Sequence, residues 1–160
     1  SNIALGYRTP GSAINGYMGD RGTPSLGHRR WILSPRLGSV EIGFAGRGQC
    51  LGVFDRSGSS DRDWTAYPNQ GFAPLETAQY TWSFQVNSIS LQSGSSAEVV
   101  RTSDGMSLPV EDYQTGGMGP PNALGFTPMG WTPQAGETYR VTITDTSAGD
   151  ITYETTLVDC

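Results

Sequence analysis

The chain contains no lysine; all ten of its basic side chains are arginine. Folding does not demand this, and the bias fits a GC-rich coding sequence. Histidine occurs once, as His28, and cysteine twice, as Cys50 and Cys160. One histidine is thin support for a zinc enzyme, which normally uses three protein ligands. A Ser-His-Asp arrangement is conceivable, but no Gly-x-Ser-x-Gly elbow accompanies it. Nucleotide-binding glycine signatures are also missing. No run approaches the ~20 apolar residues of a membrane-crossing helix. Only 16% of residues are charged, and the net charge is −5, which disfavours nucleic acid as a partner.

What is present is turn chemistry and alternation. Twenty-two glycines and ten prolines punctuate 160 residues, a composition of many turns and short strands. The charge is uneven. Residues 1–57 carry seven arginines against Asp20, Glu41 and Asp55, a balance of +4, while residues 58–160 stand at −9. The two halves are expected to face each other across an internal interface.

The segment 23–35, Thr-Pro-Ser-Leu-Gly-His-Arg-Arg-Trp-Ile-Leu-Ser-Pro, holds the only histidine between two prolines. Thr9-Pro10 and Thr23-Pro24 both read as an N-cap followed by proline in the first turn, which predicts two short helices. The second is expected over about 24–33, with Ser34-Pro35 as its stop. Asp20-Arg21-Gly22 is a predicted loop. Residues 39–55 change to period two and predict a β-hairpin turning at Gly46-Arg47-Gly48. Residues 58–76 are rich in turn formers and read as a linker. Asp55, Asp61 and Asp63 do not follow the order of a calcium loop. Residues 77–160 alternate repeatedly, with a hairpin of strands 97–102 and 107–113 turning at Asp104-Gly105, a loop at 116–121 and strands near 124–126, 139–143 and 151–157. Six or seven strands there fit a β-sandwich of immunoglobulin or fibronectin type. Glu111 and Asp112 fall on opposite faces of a strand and do not form a glycosidase pair.

Cys50 and Cys160 fit no metal or redox motif. They are either two separate buried thiols or one disulfide holding the last residue, which implies an oxidising compartment. Closing a loop of ~110 residues would contribute ~4–5 kcal/mol.

Gly27-His28-Arg29-Arg30-Trp31-Ile32-Leu33-Ser34-Pro35, followed by Val40-Glu41-Ile42-Gly43-Phe44, resembles the bacterial branch of the secreted CAP superfamily (cysteine-rich secretory, antigen 5 and pathogenesis-related proteins). The resemblance covers residues 1 to about 55. It implies an α+β fold: the C-terminal half of an α-β-α sandwich, followed by the β-sandwich as an appendage. The expected organisation is 1–57, linker 58–76, and 77–160. The family's cleft carries two histidines and two glutamates that hold a divalent metal. His28 matches the second histidine, Ser1 stands where the second glutamate belongs, and the other two fall upstream of residue 1. The resemblance therefore implies zinc only with that upstream half restored. It also implies secretion and a non-enzymatic role, binding a small apolar ligand, a metal or a protein partner. The alternative is an extracellular carbohydrate-binding or adhesive module, with Trp64, Tyr67, Tyr113 and Trp131 stacking on sugars. A hydrolase using His28 is the third reading.

Overall fold

The computed structural model describes residues 1–117, 119–120 and 122–160. Met118 and Pro121, in the loop predicted at 116–121, lie outside the described residues. The described chain forms three sheets and two short α-helices.

The first 55 residues build a small unit. β1 (Asn2–Leu5), β2 (Glu41–Ala45) and β3 (Gly48–Gly52) pair antiparallel in the order β1-β3-β2. α1 (Pro10–Gly19) begins as the sequence predicts. Thr9 caps it by accepting from the Ser12 amide at 3.1 Å, and Ser12 reciprocates in a capping box. Gly16 leaves room for Tyr7, whose hydroxyl lies 2.1 Å from where a Cβ would stand. α2 (Gly27–Ile32) starts three residues later than predicted, because Leu26 adopts a left-handed conformation at its N-cap. Ala4, Leu51 and Val53 pack with Ala13 and Tyr17 into one apolar cluster.

The α-β-α expectation fails here. Ile3, Leu5 and Cys50, which alternate with the buried Asn2, Ala4, Gln49 and Leu51, are all exposed. The sheet is thus covered on one face only among the described residues. The described chain is β-rich, with two α-helices of ten and six residues, so the α+β class is corrected as well.

The remainder contains two facing sheets. One holds β4 (Trp64–Tyr67), β6 (Trp82–Val86), β10 (Ala123–Pro128) and β9 (Val110–Gln114) in the order β4-β6-β10-β9. The other holds β5 (Gly71–Pro74), β12 (Gly149–Val158), β11 (Thr138–Thr146), β7 (Ala97–Arg101) and β8 (Met106–Leu108) in the order β5-β12-β11-β7-β8. Their inner faces share one core, with Trp82 edge-on to Tyr139 and Phe84 stacked on Tyr153.

The expected linker 58–76 is therefore shortened. β4 and β5 lie inside it, and a 3₁₀ turn follows over Leu75–Ala78. Apolar side chains at Trp64, Ala66 and Ala73 join the core, which outweighs the turn-forming residues around them. The predicted strand 107–113 is two strands. Proline has no amide hydrogen for a ladder, and at Pro109 the chain leaves β8 and enters β9 in the opposite sheet.

All five residues of β6 are buried. Trp82, Phe84 and Val86 face the core, as alternation predicts. Ser83 and Gln85 face the other way and are still buried, because α2 lies over them. Gln85 donates to the Arg30 carbonyl at 3.3 Å, and Arg29 donates to the Ser83 hydroxyl at 3.0 Å. That contact joins the first unit to the sandwich.

Candidate functional site

The site grows from the end of α1. Asp20 caps that helix at φ 47°, ψ 38°, a left-handed conformation that non-glycine residues rarely hold. The bend turns its carboxylate inward, where it is fully buried. One oxygen accepts from the Arg29 amide at 3.2 Å, and the other lies 2.7 Å from His28 Nδ1. With the carboxylate ionised and the ring neutral, Nδ1 carries the hydrogen and Nε2 is left as an acceptor. The His28 side chain is 38% exposed. Its ring stacks on Tyr17 at 5.5 Å, and Asn2 Nδ2 donates to its carbonyl at 3.0 Å. Tyr17 is fixed in turn, with its hydroxyl 2.5 Å from Gln49 Oε1.

Behind the histidine lie two buried arginines. Arg29 donates to the carbonyls of Met18 (2.6 Å), Gly19 (3.2 Å) and Thr81 (2.7 Å), and its guanidinium sits 4.4 Å over the Tyr67 ring. Burial lowers its pKa to about 10, which leaves it charged at neutral pH. Arg30 donates to the carbonyls of Ser25 (3.0 Å), Gly116 (3.1 Å) and Pro120 (2.8 Å), and burial lowers its pKa too. Basic and acidic halves do meet, but through guanidinium–carbonyl bonds. No ion pair among the described residues crosses between them.

Two clefts open on this junction. The smaller, of about 460 Å³, is lined by His28, Tyr17, Asn15 and the edge of β1. The larger, of about 780 Å³, has a wall of Tyr80, Tyr113 and Trp131 with Leu26 and Pro128. Asp20, Arg21, Thr23 and Tyr80 line both. The Arg21 guanidinium lies 4.4 Å over the Tyr80 ring, on this shared wall.

The sequence-predicted residues divide. His28 lines the smaller cleft, and Tyr113 and Trp131 line the larger. Trp64 is committed to the core, stacked 5.0 Å from Phe84, and Tyr67 to Arg29. Cys50 and Cys160 are both free and both exposed, which corrects the disulfide expectation and its buried-thiol alternative alike. The chain is held as far as Val158 without it, since β12 lies between β5 and β11.

Three of the acids weighed in the sequence, Asp55, Asp63 and Asp112, accept hydrogen bonds within the fold. The Asp63 backbone carbonyl accepts from the amides of Asn87 and Ser88. Asp55 accepts from the amides of Ser39 and Ser57, and the bonds from Ser57 are the main cause of its low pKa, about 2. Asp112 accepts from the Ala97 amide at 2.7 Å.

The donor set does not fit zinc. No group of three or more His, Cys, Asp or Glu side chains that could hold a metal occurs among the described residues. His28 has only Asp20 beside it, and that carboxylate is already engaged on both oxygens. For the hydrolase reading, no serine or cysteine among the described residues lines the cleft at His28.

Sequence reasoning missed Asp20, Arg21, Arg29, Arg30 and Tyr80. One signal was available: the outward positions of β6 are Ser83 and Gln85, neutral side chains suited to a covered face. No protein-family model, curated protein or solved structure matches the chain.

Proposed function

We propose that the protein is a secreted, non-catalytic binding protein that takes a small ligand with an apolar body in the larger cleft. The observation that carries this reading is the wall of Tyr80, Tyr113 and Trp131 around about 780 Å³, within the size range of small-molecule pockets. Threonines line the cleft beside the rings, so a bound molecule meets flat apolar faces with a few hydroxyls to orient it. The buried contacts of Arg29 and Arg30 favour a pre-formed cleft, which lowers the ordering cost of binding. Kinship of residues 1–55 with the CAP superfamily rests on the Gly27-His28-Arg29 motif, as a statement of descent and not of fold. Secretion rests on that kinship alone, since the cysteines lend it no support.

The test is a ligand screen on the intact chain followed by tryptophan fluorescence and calorimetry. Tyr80→Ala and Trp131→Ala are expected to weaken each hit about tenfold or more. A hit that both variants bind unchanged overturns the cleft assignment. The second reading, a glycan module, is favoured by the Thr81 and Thr127 hydroxyls, 2.9 Å apart, which line the cleft with Tyr113. Glycan-array signal that disappears in Tyr80→Ala would select it over the first.

A further inference from the structure

We propose that the ligand of the larger cleft is an anion: a carboxylate carried on a flat apolar body, with Arg21 as its counter-charge. This rests on the cleft assignment and adds the chemical class of the occupant.

The protein carries −5 overall, yet among the described residues the one exposed charge lining this cleft is Arg21. Arg29 and Arg30 do not line it; both lie buried behind it. Asp20 is the only acidic residue lining either cleft among the described residues. It offers nothing to a ligand, being fully buried with one oxygen on His28 and the other on the Arg29 amide. Arg29 and Arg30 are turned to carbonyls, and the one guanidinium nitrogen left without a partner, Arg30 Nε, is buried.

Arg21 is different. It is exposed, lines both clefts, and has no carboxylate within ion-pair distance among the described residues. The Tyr80 ring, 4.4 Å from the guanidinium carbon, holds the group against the cleft wall. A guanidinium so placed presents its planar fork to a carboxylate, a bidentate match that an ammonium or amide group lacks. The aromatic wall beyond it then receives the body of the same molecule. Arg21, with no exposed acid beside it on the wall, also draws anions to this cleft.

The probes are 2-naphthoate and its neutral counterpart 2-naphthamide, titrated into the intact chain and into Arg21→Gln by calorimetry at low and moderate salt. The expected result is that the intact chain binds naphthoate about tenfold or more tightly than naphthamide, in keeping with a charge-assisted hydrogen bond. Arg21→Gln should bring the two probes within about twofold of each other while leaving naphthamide unchanged. Equal affinity in the intact chain overturns the inference and leaves the cleft assignment standing. So does a preference that survives Arg21→Gln. Failure of both probes to bind, or binding that Tyr80→Ala and Trp131→Ala leave intact, overturns the cleft assignment and the inference with it.

Discussion

Arg29 is the side chain whose removal tests the architecture most directly. Its guanidinium satisfies the Met18 and Gly19 carbonyls at the end of α1, where helix carbonyls lack intrahelical partners, and the Thr81 carbonyl and Ser83 hydroxyl on the sandwich side. It is 1% exposed. Arg29→Met keeps much of the stem's volume and deletes all four bonds, leaving buried acceptors unpaired beside the Asp20 charge. Breaking a buried charged network of this kind costs about 3–5 kcal/mol, a large part of the roughly 5–15 kcal/mol that holds a domain folded. With a urea slope of about 2 kcal/mol per molar, the midpoint should fall by about 2 M. Arg29→Lys keeps the charge but presents three donors from one point, so it should lose less, about 1–3 kcal/mol. Hydrogen exchange supplies the second readout. Amides of α1 and β3 should lose protection in Arg29→Met before those of β11 and β12, because the sandwich keeps its own core. A midpoint change equivalent to less than about 1 kcal/mol would refute the reasoning, since the bonds would then be no better than exposed ones.

Two further outcomes follow from the same geometry. Asp20→Asn keeps a residue tolerant of left-handed φ but removes the anion that fixes His28, so nitrogen NMR should show His28 passing from mainly Nδ1–H toward Nε2–H; an unchanged tautomer would mean Asp20 does not orient the ring. Burial raises the pKa of Tyr67, Tyr113, Tyr139 and Tyr153, so the folded state holds these protons more tightly than the unfolded chain. The stability they contribute is full below about pH 10 and declines as pH rises beyond it; absorbance at 295 nm should show these tyrosinates appearing only with unfolding, and early ionisation in the intact fold would contradict it.

Legibility differed by element for physical reasons. α1 was readable because its start is written locally, in Thr9, Pro10 and Ser12. The hairpin of β11 and β12 was readable because Tyr139, Val141 and Ile143 alternate over one buried face with threonines opposite. Thr138 meets Thr156 at 2.8 Å and Thr142 meets Thr152 at 3.0 Å on the partner strand. β4 and β5 were not readable, because serines, glycines and Pro68 around them carry turn propensity, and only distant core partners make them strands. β8 and β9 were merged because apolar alternation continues through Pro109 while the chain changes sheets. At the site, His28 was conspicuous as a lone histidine. Asp20 was not, since a carboxylate in an Asp-Arg-Gly loop gives no sign that a left-handed turn will bury it.

The arginines explain why the site is where it is. Arginine adjacent to a histidine reads from sequence as solvated charge, and +4 on the first 57 residues suggested partners among the acids of the remainder. The structure spends that charge on carbonyls instead. Arg29 and Arg30 bring α2 down onto Ser83 and Gln85, and that docking places Asp20, Arg21 and His28 against Tyr80 and near the wall of Tyr113 and Trp131. Neither unit contains the larger cleft by itself: Leu26 and Pro24 come from the first, and Tyr113, Pro128 and Trp131 from the second. The same two buried side chains therefore set both the stability of the junction and the shape of the cleft. A variant that loosens Arg29 should weaken ligand binding through geometry, without touching a single group on the ligand.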